Sequence, residues 1–203
     1  MKLKFYNEKY NNEVYEVFKK IKNKDKDFNL LGLGTEVKSV IQFTPNIAVK
    51  VYERAENVEF ISYYKVLNKY TDIYNFNLDG YAEIIATIET VSHFYILQEY
   101  VKIGAIGGKY EFLSFLKNIM IANLFFDIYD LHKQNVGLNS KGELVIIDWG
   151  HFEGNTRRKL NDKDKFFEIL THPSMSWISK EMKYYNENYD KIYEEVIRER
   201  IGY

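Results

Sequence analysis

The apolar pattern of the chain changes character once, and that change limits the folds open to it. Up to Val101 apolar residues fall mostly in short runs and alternations bounded by turn signals, the pattern of strands. Beyond the glycine-bearing stretch Gly104–Gly108 they recur at helical spacing. Strands first and helices afterwards predict an α+β fold with sheet and helices segregated. A length of 203 residues suits one domain of two lobes or two very small domains.

Within residues 1–101 the pattern predicts an amino-terminal lobe. Residues 8–22 read as a leading helix with Tyr10, Val14, Phe18 and Ile21 on one stripe. Phe28–Gly34, Glu36–Phe43 and Ile47–Tyr52 read as strands, with Thr44-Pro45-Asn46 as the turn before the third. Glu53–Tyr70 reads as a helix, and Tyr81–Ile88 and Ser92–Val101 as two more strands, giving a small five-stranded sheet. Residues 102–203 are expected to form a mainly helical lobe. It opens with a flexible link near 102–110 and a buried helix, Glu111–Ile128. A loop at 130–135 follows. A hairpin comes next, Val136–Leu138 with Leu144–Ile147, turned by Asn139-Ser140-Lys141-Gly142. The tail reads as a helix with Ile178, Met182, Tyr185, Tyr189, Ile192, Val196 and Ile197 on one stripe. A cleft between two such lobes is a natural ligand site.

Composition removes several kinds of chemistry. There is no cysteine, so a disulfide framework, thiolate-bound zinc, an iron–sulfur cluster and a cysteine nucleophile are excluded. A net charge of -1 gives no global pull toward nucleic acid or an anionic membrane. The longest apolar stretch, Ile119–Phe126, is interrupted by Asn123 and is far short of the roughly 20 residues a bilayer requires. A cytoplasmic protein is the expectation.

The polar residues that end apolar elements carry the chemical signal. Asp130 and Asn135 stand five apart in the loop after the buried helix, and Asp148 follows Asn135 by thirteen, at the end of the apolar run Val145-Ile146-Ile147. A carboxylate, an amide oxygen and a second carboxylate suit a hard cation such as Mg²⁺, which shares its shell with phosphates and water. The remaining carboxylate is free to orient or deprotonate a hydroxyl. Gly32-Leu33-Gly34 allows close backbone approach to phosphate oxygens. Lys50 sits in an apolar strand and shares a face with Ala48, while Ile47, Val49 and Val51 point the other way. A phosphate and a carboxylate from the next helix would pair with it; Glu59 is the better placed candidate and Glu56 its competitor. The bland reading makes Lys50 an edge-strand charge and the Asp and Asn residues ordinary turn caps.

Taken together, Gly32-x-Gly34, Ala48-Val49-Lys50, a helix Glu, Gln98-Glu99-Tyr100-Val101, Asp130-Leu131-x-x-x-Asn135 and Asp148-x-Gly150 resemble the protein-kinase-like superfamily. The Asp-Leu-His-x-x-Asn form looks more like that of aminoglycoside and choline phosphotransferases, and of compact kinase-like proteins of bacteria and phages, than like that of eukaryotic protein kinases. The resemblance implies a bilobal fold with a truncated helical second lobe. It implies that Gly32 and Gly34 cover ATP phosphates and that Lys50 contacts them while paired with Glu59. It places Ala48 in the adenine pocket, with Glu99 and Val101 meeting the adenine edge through backbone groups. Asp130 would be the catalytic base, Asn135 and Asp148 would hold Mg²⁺, and His132 would lie near the γ-phosphate. Val37 stands where the family has a third glycine, Ile128-Tyr129 replaces His-Arg, Trp149 replaces Phe, and no Ala-Pro-Glu follows Gly150. The expected activity is transfer of the γ-phosphoryl of Mg-ATP to a hydroxyl of a small molecule or a protein Ser/Thr, with no nucleic-acid or membrane partner and the oligomeric state left open. The rival expectation is a pseudokinase-type module that holds a nucleotide or protein without turnover.

Overall fold

The alternation Ile47-Ala48-Val49-Lys50-Val51 sorts successive side chains onto opposite faces of a strand. In the computed structural model of the chain both faces are covered. The structure describes residues 1–34, 37–54, 58–123, 125–128, 131–149, 153–154 and 173–185, with positions 191, 194 and 198. The chain is α+β and divides into two compact units, Met1–Asp72 with Ala82–Val101, and Ile73–Tyr81 with Lys102–Tyr203. Among the described residues there are four α-helices, and none is long and apolar enough to cross a membrane.

The first unit is built on a six-stranded antiparallel sheet in the order β1-β5-β6-β4-β3-β2. Its strands are β1 (Lys2–Phe5), β2 (Asn29–Gly32), β3 (Ser39–Thr44), β4 (Ile47–Glu53), β5 (Ile84–Glu89) and β6 (His93–Glu99). The sheet has one strand more than the pattern predicted, because Lys2–Phe5 pairs with Glu89–Ala86 at the edge. Helix α1 (Asn11–Lys22) lays Val14 and Val17, both fully buried, against Ile41, Ile47, Val49, Val51, Ile88 and Leu97. Each such burial removes roughly 1.5–3 kcal/mol of apolar exposure. The other face of β4 carries Ala48, Lys50 and Tyr52. There Tyr63 of helix α2 (Val58–Asn75) meets the Tyr52 ring at 5.6 Å and stacks on Phe94 at 4.5 Å. β4 runs on to Glu53, which pairs with His93, so the predicted helix start at Glu53 is strand instead.

The second unit contains a three-stranded sheet in the order β10-β9-β7, formed by β7 (Lys102–Ile103), β9 (Val136–Leu138) and β10 (Leu144–Ile146). The hairpin between β9 and β10 is closed by Asn139, whose side-chain oxygen accepts from the N–H groups of Lys141 (3.0 Å) and Glu143 (2.9 Å). Lys102–Ile103, read as part of a link, pairs instead with Leu138–Gly137. Helix α3 (Lys109–Asn123) buries Phe112, Phe115, Leu116, Ile119 and Met120. It stops before the predicted Ile128: Phe125 N–H closes a turn onto Ala122, and β8 (Phe126–Asp127) pairs with β11 (Glu153–Gly154). Helix α4 (Ser176–Tyr185) is the described part of the predicted tail helix, whose stripe beyond Tyr185 lies outside the described residues.

Candidate functional site

In the first unit the strand register collects the predicted nucleotide-side residues. Gly32 pairs with Val40, Val40 with Lys50 and Lys50 with Ile96, so Gly32 and Lys50 lie in one row across the sheet. Two strand spacings put their backbones about 10 Å apart. Lys50 is 7% exposed and β4 is an internal strand, which removes the edge-charge reading. Ala48 pairs with Gln42 and Gln98 and shares the Lys50 face. A Cβ added at Gly32 would meet nothing within 4 Å, whereas one at Gly34 would lie 2.7 Å from Cγ2 of Val37. The residue standing at the third-glycine position therefore folds back over the second glycine. Glu59 lies in the first turn of α2, one turn before Tyr63, with its side chain outside what is described; Glu56 lies outside the described residues.

Glu99 and Val101 end the β6 segment. Glu99 faces Ile47 at a position that does not bond to β4, while its N–H donates to the Glu83 carbonyl (2.9 Å) and Tyr100 N–H donates to the Asn46 carbonyl (2.8 Å). Val101 is buried. Two side-chain contacts here had no signal in the sequence. Gln98, 3% exposed, sits on the Lys50 face and donates from Nε2 to the Ala82 carbonyl at 3.3 Å. Lys9 reaches the buried Glu99 carboxylate at 2.9 Å. Its partner is distant in sequence, so no local pattern reveals the pair.

In the second unit the backbone brings Asn135 and Asp148 to neighbouring positions. Asn135 closes the 3-10 turn Lys133–Asn135, its N–H donating to the His132 carbonyl at 2.8 Å. Its own carbonyl accepts from Ile147 N–H at 2.9 Å, one residue before Asp148. The β8–β11 pairing joins Asp127 to Glu153 and so pins the two ends of the segment that contains Asp130, Asn135 and Asp148. Asp130 and Gly150 themselves lie outside the described residues. Leu131 is fully buried, and Trp177 Nε1–H donates to its carbonyl at 3.0 Å while the indole stacks on Phe115. Trp149 is buried with its ring edge-on to Tyr81. His132 is exposed. Among the described residues no group of three or more His, Cys, Asp or Glu gathers as a metal cluster. Asn135 and Asp148 are half-buried and neighbours in backbone through the Ile147–Asn135 hydrogen bond, and an amide oxygen with a carboxylate is a donor set that fits Mg²⁺ sharing its shell with phosphate and water.

The chain matches no family model and no curated protein.

Proposed function

We propose that the protein is an ATP-dependent phosphotransferase of kinase-like, two-lobed build that moves the γ-phosphoryl group of ATP to a hydroxyl acceptor. The observation that carries this reading is Lys50, buried in an internal strand and in register with Gly32. A buried cation on a sheet face beside a glycine-bearing strand end suits a bound polyphosphate, because burial strengthens the attraction and the glycine lets backbone approach. Asn135 and Asp148, neighbours in backbone, support the same reading from the second unit.

In this reading Lys50 binds the α- and β-phosphates, paired with Glu59. Gly32 and Gly34 cover the phosphates, Ala48 lines the base pocket, and Glu99 and Val101 hold the adenine edge by backbone groups. Asn135 and Asp148 would hold Mg²⁺, which neutralises charge on the phosphate oxygens. Asp130 accepts the proton of the acceptor hydroxyl as its oxygen bonds to the γ-phosphorus. The bond from phosphorus to the β–γ bridging oxygen breaks, and ADP leaves. The protein is proposed to act in the cytoplasm, without nucleic acid or membrane.

The test is transfer of label from γ-labelled ATP in the presence of Mg²⁺, to the protein itself and to a panel of hydroxyl acceptors. Asp130→Asn is expected to lower transfer about a hundredfold or more, the usual contribution of a positioned base. Unchanged transfer in Asp130→Asn overturns the base assignment, and nucleotide binding with no transfer in the wild type replaces the enzyme by a binding module.

A further inference from the structure

The amino-terminal segment grips the end of β6 from the α1 side of the sheet at two points. Asn7 is fixed first: its side-chain amide donates to the Ile84 carbonyl at 3.1 Å, and its side-chain oxygen accepts from Lys9 N–H at 2.9 Å. Lys9 is thereby held beside the sheet, and its Nζ lies 2.9 Å from Glu99 Oε1 and 3.5 Å from Glu83 Oε2. The Glu99 side chain is 2% exposed and that of Lys9 27%, so the carboxylate has been taken out of water against a cation that still touches it. Four residues on, Glu13 takes Asn46: Oε1 accepts from the side-chain amide at 2.6 Å and Oε2 from the backbone N–H at 3.2 Å. Asn46 in turn accepts Tyr100 N–H through its carbonyl. Lys9 and Glu13 thus act on consecutive residues, Glu99 and Tyr100, by two independent routes.

We propose that Lys9 and Glu13 are positioning residues that brace the segment 98–101 and set how tightly the adenine ring is held. This rests on the phosphotransferase reading, in which Glu99 and Val101 present their backbone groups to adenine. A peptide edge recognises a base only if its donor and acceptor are already aimed, and ordering them at the moment of binding would cost affinity. The Glu99 side chain points to the α1 face, away from Ala48 and Lys50, so its carboxylate anchors the segment without facing the nucleotide side. Burial alone would lower the Lys9 pKa, but the bond to Glu99 outweighs it and holds the ammonium above its ordinary value, so Lys9 stays charged throughout the neutral range.

The test measures Mg-ATP affinity of the full chain by calorimetry, and amide hydrogen exchange of the unliganded protein, in Lys9→Met, Lys9→Arg and Glu13→Gln. Lys9→Met and Glu13→Gln are expected to weaken ATP about five- to tenfold, with Lys9→Arg restoring most of the loss. Exchange should quicken more at the Glu99 and Tyr100 amides than at Val49 and Ile96, which feel only the change in global stability. Should Lys9→Met fail to fold, Glu13→Gln carries the same measurements. If the wild type binds ATP and the variants bind it equally well, the brace is overturned and the phosphotransferase reading stands. Exchange that quickens equally across the whole sheet also overturns it, because the residues would then be holding the unit together in general. A wild type that binds no Mg-ATP overturns the phosphotransferase reading, and the brace with it.

Discussion

Glu13 shows how a partly buried carboxylate ties pH to stability. Burial pushes its carboxyl up, but hydrogen bonds led by the Asn46 side-chain amide outweigh that and hold it below the ordinary carboxylate value. A carboxyl depressed in the folded state stabilises fully above its unfolded pKa, about 4.3 for Glu, and loses that contribution as pH falls through the folded value. Glu13→Gln is therefore expected to be less stable than the wild type at pH near 7, with the gap closing as pH falls toward about 3. Denaturant midpoints of the two proteins at both pH values check this; a gap that stays constant would show that the carboxylate charge is not what Asn46 recognises. The same residue marks where sequence reading stops. Glu13 lies off the Tyr10, Val14, Phe18 and Ile21 stripe, where solvated charges are usual, and nothing local to it signals Asn46. Lys50 was legible, by contrast, because it is the one charged residue in the otherwise apolar run Ile47–Tyr52, visible within six residues.

At the level of elements, what was legible is what has a period. α1, β4, β6 and the β9–β10 hairpin follow from apolar spacing and from a turn whose Gly142 has φ of 79°, a conformation glycine adopts without strain. β1, β7, β8 and β11 were not legible, since each has two to four residues and exists only by pairing with a distant segment. Those short pairings shape the candidate site: β8–β11 closes the segment around Asn135 and Asp148. A further such tie runs through Gly80. Its φ is 85°, its carbonyl accepts Ile146 N–H at 2.8 Å, and an added Cβ would lie 2.8 Å from Asn118 Nδ2 and 2.9 Å from Asn118 Cβ. Gly80→Ala is expected to cost about 1–3 kcal/mol of stability, from the left-handed backbone together with the clash. Gly142→Ala, with a similar φ and nothing within 4 Å, serves as its control and should cost less. Urea unfolding of both variants decides this, and equal costs would mean that the contact with Asn118 adds nothing.

For the whole molecule, the proposed chemistry is divided between two units that each own a sheet and a core. The first contributes Gly32, Gly34, Ala48, Lys50, Glu59, Glu99 and Val101, the groups assigned to the nucleotide. The second contributes Asp130, Asn135 and Asp148, the groups assigned to base and metal. Lys50, Asp130, Asn135 and Asp148 stand out in the sequence because each ends or interrupts an apolar element, whereas Ala48, Glu99 and Val101 were assigned through the resemblance alone. Their joint action on one triphosphate is the central claim, and it separates the two units by the ligand component each should govern. Equilibrium binding of ATP with and without Mg²⁺, to the wild type, Lys50→Met and Asp148→Asn, tests it most directly. The account predicts that Mg²⁺ tightens ATP binding in the wild type and that Lys50→Met weakens ATP about tenfold or more in either condition. It further predicts that Asp148→Asn abolishes the Mg²⁺ effect while leaving metal-free ATP binding intact. A wild type that binds no ATP, or a Mg²⁺ effect that survives Asp148→Asn, would contradict it.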